Sequence, residues 1–440
     1  MATPLRPAKR LRGTLELPSD KSIGHRGLIL AALAEGESEV AVREPGADVL
    51  STVGALRALG VAVDGRSGGD GVVELVVGGL GKGGAIGRLG GGSVDCGNSG
   101  TTMRLLAGAL ASGAGLARLT GDASLSRRPM ERVASPLREM GADVQTTEGH
   151  APLTVAGRRA LQAQEHTLPI ASAQVLGAIC LAALAAEGVT SVRVPGPTRD
   201  HTERLLRAMG AAVARQPDGE GTVSTIEGPA ALRPLSLRVP GDFSSAAAWI
   251  VAATIHRDAE VRLAGVGLNP TRTALIDVLR RMGADIEVER ATDDGAEPAG
   301  DIVVRSAPRL QATTVSGAEV AALVDELPLL AVAMAAADDT SEVRGAAELR
   351  VKESDRIGAL AAALAAGGAQ VEELPDGWRI RRGQPHSAGV TTHGDHRIAI
   401  ALAVAAWTGV AAGVTLDDPG CVVVSYPSFW RDAALVGAPR

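Results

Sequence analysis

The sequence predicts an α/β fold in which one β-α-β-α-β-β unit is repeated six times, three times in each of two domains. Two recurring helix patterns and one central Pro-Gly pair lead to this prediction. The helix patterns alternate along the whole chain, and the first pattern recurs at intervals of 70 to 83 residues. Such self-similarity indicates one supersecondary unit used several times.

The first helix of each unit is apolar on nearly all sides, which predicts that it is buried. It begins with small polar residues and continues rich in Ala and Leu, as in "GNSGTTMRLLAGAL" from Gly97. Strand-like runs such as "VVELVV" (72–77) lie between the helices. The other five first helices begin near Ser19, Ala171, Gly241, Val324 and Gly394.

The second helix of each unit is recognised by its ending. An amphipathic segment such as "VLRRMGADI" runs into a glycine that can adopt the left-handed conformation after a helix, and a strand follows. Arg and Glu on one side of these helices predict a position near the surface. The glycines are Gly60, Gly141, Gly210, Gly283 and Gly368, with a weaker sixth copy at Gly437.

The boundary between the two sets of three units is predicted at "LRVPGD" (237–242). This stretch lies midway along the chain and carries Pro240-Gly241, a dipeptide typical of turns. The first domain is therefore expected to end near residue 239.

Composition excludes several classes of protein. The chain has 440 residues, a net charge of −6 and no long run of one charge, so nucleic-acid binding is not expected. The uncharged run 398–416 is rich in Ala, Val and Gly, and we interpret it as a buried helix, a turn and a strand rather than a membrane span. No signal peptide is recognised, since no apolar region follows "MATPLRPAKRLRG". Three well-separated cysteines (Cys96, Cys180 and Cys421) fit a reducing compartment without disulfides or a zinc site.

The starts of the first helices predict an anion-binding site. Helix N-termini offer free N–H groups and partial positive charge, and cations cluster at or near them. These cations are Lys21, Arg26, Arg104 and Arg397 at the helix starts, with Arg128, Lys352 and Arg356 on nearby loops. The candidate N-caps are Ser19 or Asp20, Asn98 or Ser99, Ser172, Asp242 or Ser244, and Asp395. Each motif taken alone could equally be a capped or salt-bridged helix.

Two acidic motifs are candidates for proton transfer. In "LRVKESDRIGAL", Lys352 and Arg356 are four residues apart and would share one face of a helical turn, with Glu353 between them. A carboxylate so placed could do acid–base work. Asp325 begins an apolar helix, where a carboxylate also suits the helix dipole without any function. In "HGDHR", two histidines without a third partner do not predict a metal site.

Taken together and in this order, the motifs make the chain similar to the 5-enolpyruvylshikimate-3-phosphate synthase family of enolpyruvyl transferases, over almost its whole length. The motifs that carry the resemblance are "SDKSIGHR", "GNSGTTMR", "DASLSRRPM", "ASAQV", "RDHTE", "NPTR", "VDE", "LRVKESDR" and "GDHR". The resemblance implies a two-domain inside-out α/β (enolpyruvyl transferase) fold with buried parallel helices and outer sheets. It places residues 19–239 in the first domain and residues 1–18 plus 240–440 in the second, with hinges near 18–20 and 238–242.

The resemblance also implies a reaction. The enolpyruvyl group of phosphoenolpyruvate would be transferred to the 5-hydroxyl of shikimate 3-phosphate with release of phosphate, a step of the shikimate pathway towards chorismate and the aromatic amino acids. It implies a monomeric cytoplasmic enzyme with small-molecule substrates, no metal, no cofactor and no membrane or nucleic-acid partner. Glyphosate inhibits members of this family.

The site residues implied by the resemblance fall into three overlapping sets. The catalytic set is Lys21, Asp325 and Glu353. The phosphoenolpyruvate-binding set is Lys21, Gly100, Arg128, Gln174, Arg356 and Arg397. The shikimate-3-phosphate-binding set is Lys21, Ser22, Arg26, Ser172, Gln174, Arg199, Asp325 and Lys352.

The chain departs from the family pattern at two positions. Many members carry a lysine in the segment that here reads "DPGCVVVSYP", where Val424 stands, and the related branch often has a lysine where Leu176 follows "SAQV". Two alternatives stay open. One is a UDP-N-acetylglucosamine enolpyruvyl transferase, although residues 111–127 hold no cysteine and Ser22 follows Lys21. The other is an inactive relative that only binds anions.

Overall fold

The computed structural model describes residues 4–81, 92–113, 115–157, 160–292 and 296–438. It divides into two compact units. We call Ser19–Val239 with Asp294–Glu297 the first domain, and Met1–Pro18, Pro240–Asp293 and Pro298–Arg440 the second domain. None of the helices in the described ranges is long and apolar enough to cross a membrane.

The chain begins with β1 (Leu11–Glu16) of the second domain and then forms the three repeats of the first domain. The first repeat contains α1 (Lys21–Leu33), β2 (Glu35–Arg43), α2 (Ala47–Ala58), β3 (Ala62–Ser67) and β4 (Val72–Leu80). The second contains β5 (Ser93–Asp95), α3 (Gly100–Leu110), β6 (Gly115–Thr120), α4 (Ala123–Ser126), α5 (Glu131–Glu139), β7 (Asp143–Thr147) and β8 (His150–Gly157). The third contains β9 (Leu161–Gln162), β10 (Glu165–Thr167), α6 (Ala173–Ala183), β11 (Ala186–Val194), α7 (His201–Ala208), β12 (Val213–Asp218) and β13 (Gly221–Gly228), and β14 (Ser236–Arg238) follows.

Three further repeats form the second domain. The fourth contains α8 (Phe243–Ile255), β15 (Ala259–Gly267), α9 (Ala274–Met282), β16 (Asp285–Thr292) and β17 (Ala299–Arg305). The fifth contains β18 (Thr314–Val315), α10 (Ala318–Leu323), α11 (Leu327–Ala336), β19 (Ser341–Val343), a 3-10 helix (Ala347–Val351), α12 (Arg356–Ala366), β20 (Gln370–Leu374) and β21 (Gly377–Arg381). The sixth contains β22 (Ser387–Val390), α13 (His396–Trp407), β23 (Gly413–Leu416), a 3-10 helix (Pro419–Val424) and α14 (Phe429–Leu435).

Five repeats share one sheet topology, which confirms the predicted unit. The second repeat has the strand order β5-β6-β8-β7, in which β5 and β6 are parallel and the other neighbours are antiparallel. Two repeats take their first strand from a distant part of the chain. Strand β14 pairs with β2 of the first repeat, and β1 pairs in parallel with β15 of the fourth.

The sixth repeat differs from the prediction. In the described ranges its sheet consists of two parallel strands, β22 and β23. The antiparallel partner that β23 would have in the other repeats is replaced by the N-terminal segment, because the backbone of Leu5 exchanges two hydrogen bonds with Val414, of 2.7 and 2.9 Å. A local sequence pattern could not predict this pairing, since its two residues lie at opposite ends of the chain.

The glycines after the second helices adopt the predicted conformation. All six have φ between +83° and +105°, a region that only glycine enters without strain. Their positions are Gly60, Gly141, Gly210, Gly283, Gly368 and Gly437. The prediction of six helix endings is therefore confirmed, including the weakest copy.

The first helices are buried, as predicted, and small residues set their spacing. On α3, a side chain added at Gly108 would place its Cβ 2.1 Å from the carbonyl oxygen of Ala178 on α6. The two helix backbones are thus in direct contact. In the second domain, α13 and β23 occupy most of the uncharged run 398–416, which confirms a buried helix, a turn and a strand.

We expect Gly108→Ala to destabilise the protein by roughly 1–3 kcal/mol, because the helices α3 and α6 must separate to admit the methyl group. The matched control is Gly54→Ala in α2, where an added Cβ meets nothing within 4 Å. That substitution should stabilise the protein by about 0.5–1 kcal/mol through helix propensity. Urea unfolding of the two variants would test this, and equal effects would contradict the close helix contact.

Candidate active site

Side-chain caps begin five of the six first helices and confirm the prediction that small polar residues start them. The side chains of Asp20, Ser99 and Ser172 accept backbone N–H groups of α1, α3 and α6, while Asp242 and Asp395 do so for α8 and α13. Helix α11 lacks such a bond from Glu326. Capping leaves other N–H groups of each first turn available to a ligand.

Lys21 is the first residue of α1 and is about one third exposed. Its Nζ lies 3.2 Å from Oδ2 of Asp48, which is in the first turn of α2. The carboxylate holds the ammonium at the helix start, where an anion would also be attracted. Asp48 is not among the residues predicted from the sequence, because nothing near it in the sequence links it to Lys21.

Arg26 is buried and joins three helices of the first domain. Its Nε donates to Oγ1 of Thr202 on α7 (2.8 Å), and its two terminal nitrogens donate to the carbonyl oxygens of Ser22 (2.9 Å) and Ala173 (3.2 Å). Three of its five N–H groups are thereby used. Burial lowers the pKa of Arg26 to about 10, with Glu203 raising it and Arg199 lowering it. The guanidinium stays charged at neutral pH.

Gln174 connects α6 to α3. Its Nε2 donates to Oγ1 of Thr101 (2.9 Å), and its Oε1 accepts from the buried guanidinium of Arg104. Arg104 also donates to the carbonyl oxygen of Pro129 at 3.3 Å. The sequence shows Arg104 as a cation at a helix start but predicts no role for it.

Gly100 begins α3 and lies beside two guanidinium groups. A Cβ at this position would be 3.1 Å from a terminal nitrogen of Arg104 and 3.5 Å from one of Arg128. Arg128 donates to Oδ1 of Asn98 (2.9 Å), and Asn98 in turn donates to Asp122 (2.7 Å). The absence of a side chain on Gly100 therefore keeps open the space next to these cations.

These contacts define the first-domain cluster, in which the starts of α1, α3 and α6 lie together. It holds most of the predicted residues of this domain, linked through Arg26, Gln174 and the surroundings of Gly100. Arg199, just before α7, is half-buried and acts on Arg26 through its charge. The members predicted from sequence are Lys21, Ser22, Arg26, Gly100, Arg128, Ser172, Gln174 and Arg199.

In the second domain, Asp325 and Arg397 are in contact. Arg397 donates to the backbone oxygen of Asp325 at 2.5 Å, and another of its nitrogens lies 3.5 Å from the Asp325 carboxylate. The hydroxyl of Ser244 donates to Oε1 of the buried Glu326 (2.5 Å) and accepts from the buried Arg272 (2.9 Å). Arg272, which is part of "NPTR", and Glu326 were not predicted as site residues.

A second ion-pair group surrounds Arg356. Its guanidinium donates to both carboxylate oxygens of Asp395, at 2.8 and 3.2 Å, and to Glu353 at 2.6 Å. Burial opposes the charge of Arg356, but Asp395 and Glu353 outweigh it and raise the pKa of the guanidinium. Burial alone would raise the pKa of Asp395, yet the charge and hydrogen bonds of Arg356 bring it down to about 2. We call these residues and those around Asp325 the second-domain cluster.

Lys352 does not lie where its spacing predicts. Asp355 caps α12, so Arg356 begins a new helix, while Lys352 follows the preceding 3-10 helix in an extended conformation. The prediction that Lys352 and Arg356 share one helical face is therefore wrong. Lys352 donates to Glu348 at 2.7 Å. Val424, at the position where the resemblance implies a lysine, ends a 3-10 helix and is half-buried.

The two clusters differ in charge. The first-domain cluster gathers five cations, Lys21, Arg26, Arg104, Arg128 and Arg199, with the carboxylate of Asp48 beside Lys21, while the second-domain cluster sets Arg272, Arg356 and Arg397 against five carboxylates. Among the described side chains, no group of three or more His, Cys, Asp or Glu could hold a metal ion.

A chain of buried side chains continues from His25 behind the first-domain cluster. The Nδ1 atom of His25 lies 2.6 Å from Oγ1 of Thr52, which lies 2.7 Å from Oγ1 of Thr102. Thr102 donates its hydroxyl proton to Oγ of Ser99 at 2.8 Å. Burial lowers the pKa of His25 to about 4, so the imidazole is neutral at physiological pH.

Comparison with known proteins identifies the class to which this fold and these clusters correspond. Residues 5–433 match the sequence profile of EPSP synthase (3-phosphoshikimate 1-carboxyvinyltransferase). The chain is 51% identical over 437 residues to the 3-phosphoshikimate 1-carboxyvinyltransferase of Gloeobacter violaceus, covering 98% of both chains. It is 47% identical to that of Chloroflexus aurantiacus, covering 97% of each.

Solved structures agree with this class. The EPSP synthase of Acinetobacter baumannii superposes with a TM-score of 0.87 at 39% identity, covering 99% of this chain and 98% of the other. The enolpyruvyl transferase NikO of Streptomyces tendae has the same fold, with a TM-score of 0.76 at 20% identity, covering 100% of this chain and 98% of the other. The fold is thus that of the enolpyruvyl transferases. The chain belongs to the EPSP synthase family.

The depressed pKa of His25 predicts a pH dependence of stability. The unfolded chain binds a proton to this histidine below about pH 6.5, while the folded chain does so only near pH 4. The free energy of unfolding therefore decreases by on the order of 3 kcal/mol as the pH falls through this window. In His25→Gln this part of the dependence of the free energy of unfolding on pH should be absent. We call the change in this free energy per pH unit the slope.

Urea unfolding at several pH values between 4 and 7.5 would measure the slope in the two proteins. The control is His386→Gln at an exposed position, which should keep the wild-type slope. A His25→Gln variant with an unchanged slope would show that His25 titrates normally in the folded protein.

Proposed function

We propose that this chain transfers the enolpyruvyl group of phosphoenolpyruvate to the 5-hydroxyl of shikimate 3-phosphate and releases phosphate. The proposal is carried by a cation-rich cluster at three helix starts of the first domain and, described separately, a cluster of the second domain that holds two partly exposed carboxylates, Asp325 and Glu353. The names of the curated relatives support the same reaction.

Phosphoenolpyruvate, which carries a phosphate and a carboxylate, would be bound mainly by cations. We assign Lys21, Arg128, Arg356 and Arg397 to this role, with the open space at Gly100 and the amide of Gln174 beside them. Guanidinium groups bind such anions through paired, charge-assisted hydrogen bonds, each of roughly 1.5–3 kcal/mol. Because Lys and Arg supply the positive field, the proposal requires no metal ion and no cofactor.

Shikimate 3-phosphate would lie against the starts of α1 and α6. Ser22 and Arg26 would hold the ring and its carboxylate, and two N–H groups of Arg26 remain for this task after its three internal bonds. Ser172, Gln174 and Arg199 would hold the phosphate. Lys21, Asp325 and Lys352 complete the predicted set, and Lys352 would first have to leave Glu348.

The reaction proceeds by addition and elimination. Asp325 would accept the proton of the 5-hydroxyl while the oxygen of that hydroxyl bonds to C2 of phosphoenolpyruvate. Glu353 with Lys21 would protonate the methylene carbon. This step gives a tetrahedral intermediate. Glu353 would then remove a proton from the resulting methyl group as the bond to phosphate breaks, which restores the double bond.

We also propose that the enzyme acts as a cytoplasmic monomer. The three cysteines, Cys96, Cys180 and Cys421, are free and buried, which suits a reducing compartment. Size-exclusion chromatography with light scattering would test the oligomeric state.

The decisive experiment measures inorganic phosphate release from shikimate 3-phosphate and phosphoenolpyruvate in the presence of a chelator. We expect release that depends on both substrates. Binding of both without release would favour an inactive relative. Release with UDP-N-acetylglucosamine in place of shikimate 3-phosphate would favour the sister enzyme.

Replacing the proposed proton-transfer groups should slow turnover. We expect Asp325→Asn and Glu353→Gln each to lower kcat by on the order of 10²–10⁴, since each removes one general acid–base group. The exposed pair of Arg281 with Glu319 offers a control, and Glu319→Gln should leave kcat unchanged. Near-normal turnover in Asp325→Asn would rule out its role as the base.

Gly100→Ala should discriminate between the two substrates. The added methyl group would lie against the guanidinium groups of Arg104 and Arg128, so the KM for phosphoenolpyruvate should rise roughly tenfold. The KM for shikimate 3-phosphate should stay constant. Steady-state kinetics would measure both KM values, with Gly54→Ala as the control. A selective rise in the KM for shikimate 3-phosphate would contradict the assignment.

A further inference from the structure

The hydroxyl chain behind the first-domain cluster ends at Ser99, for which the proposed function has no role. Its four members, His25, Thr52, Thr102 and Ser99, are each at most 2% exposed, so water cannot substitute freely for any of their hydrogen bonds. A hydroxyl group has one proton to donate and two lone pairs that accept. The protons in this row of hydrogen-bonded side chains can therefore be counted.

The direction of the bond from Thr102 to Ser99 determines the directions of the other two bonds. Thr102 donates its only hydroxyl proton to Ser99, so it must accept at its contact with Thr52. Thr52 then donates to Thr102 and must accept from His25, only 2.6 Å away. Neutral His25 consequently carries its proton on Nδ1. All donors in the chain point towards Ser99.

Ser99 receives two hydrogen bonds and has its own proton left over. Its Oγ accepts from the hydroxyl of Thr102 at 2.8 Å and from the backbone N–H of Thr102 at 3.1 Å. Both lone pairs are thereby used, and the O–H bond must point away from Thr102. Within the described ranges the Oγ of Ser99 makes no hydrogen bond besides these two. A buried donor left without an acceptor is costly unless a ligand completes it.

The surroundings of Ser99 offer mainly further donors. Gly100 and Thr101 follow in the first turn of α3, where backbone N–H groups have no partner within the helix. The space next to Gly100 is bordered by the guanidinium groups of Arg104 and Arg128. An anion with several oxygens, such as a phosphate or a carboxylate, suits a group of donors like this one.

We propose that the Ser99 hydroxyl is a further donor to an anionic oxygen of phosphoenolpyruvate, and that His25 is a positioning residue that orients it through Thr52 and Thr102. The inference rests on the proposed function for the identity of the anion. If His25 were protonated on Nε2 instead, donor and acceptor would be exchanged in each of these hydrogen bonds. Ser99 would then donate its hydroxyl proton to Thr102 and could not donate a hydrogen bond to the ligand.

The first test determines the tautomer of His25 in the free enzyme. Long-range ¹H–¹⁵N NMR of histidine-labelled protein distinguishes a proton on Nδ1 from one on Nε2, and His25→Gln assigns the signal by its loss. We expect the Nδ1–H form at pH 7.5. An Nε2–H signal would overturn the inference whatever the activity of the enzyme.

The second test removes the terminal hydroxyl. Ser99→Ala should raise the KM for phosphoenolpyruvate roughly 10- to 100-fold, the usual effect of losing a hydrogen bond to a charged group. The KM for shikimate 3-phosphate should be unchanged, and Ser99→Thr, which keeps the hydroxyl, should restore the wild-type value. Ser99→Gly repeats the test with a residue that is well tolerated at an N-cap, in case Ala impairs folding.

The outcomes separate this inference from the proposed function. No phosphate release by the wild-type enzyme would overturn both. Wild-type turnover together with an unchanged KM for phosphoenolpyruvate in Ser99→Ala and Ser99→Gly would overturn only the role of Ser99. An equal rise in KM for both substrates would show that Ser99 acts merely as a helix cap.

Discussion

The burial of a small-residue helix at the centre of each repeat is the constraint on which the rest of the structure depends. A helix of Ala, Leu and Gly has no polar face, so it must be covered on all sides. Direct backbone contact, as between Gly108 and Ala178, brings neighbouring helices close enough for their first turns to meet. The meeting of three helix starts concentrates N–H groups and partial positive charge in one place. The anion binding that we propose would thus be a consequence of how the core is packed.

The proposed function divides the chemistry between the two clusters. In the first-domain cluster, cations are held in place largely by neutral groups, such as the carbonyl oxygens that accept from Arg26 and the amide oxygens of Gln174 and Asn98. Lys21 instead contacts the carboxylate of Asp48. In the second-domain cluster, arginines are matched by carboxylates, as in the pair of Arg356 and Asp395. In the proposed function, the cation-rich cluster binds the substrates and the carboxylates of the other cluster exchange protons.

Features encoded over a few residues could be predicted from the sequence. Helix caps such as Ser172 and the left-handed Gly437 depend only on local chemistry, and their repetition revealed the units. Features that arise from tertiary contact could not. The pairing of Lys21 with Asp48 joins separate helices, and the bond of Leu5 to Val414 spans almost the whole chain. The spacing of Lys352 and Arg356 led to the wrong prediction of a shared helical face, because Asp355, between them, caps a new helix.

The parallel pairing of β1 with β15 has a consequence for biosynthesis. Residues Leu11–Glu16 leave the ribosome early, but their partners Ala259–Ala264 are translated about 250 residues later, a delay of roughly 10–50 s at usual rates of translation. Throughout that interval the nascent chain carries an unpaired β-strand while the whole of Ser19–Val239 is produced and can fold. The sheet of the fourth repeat is therefore completed only after the first domain has been translated.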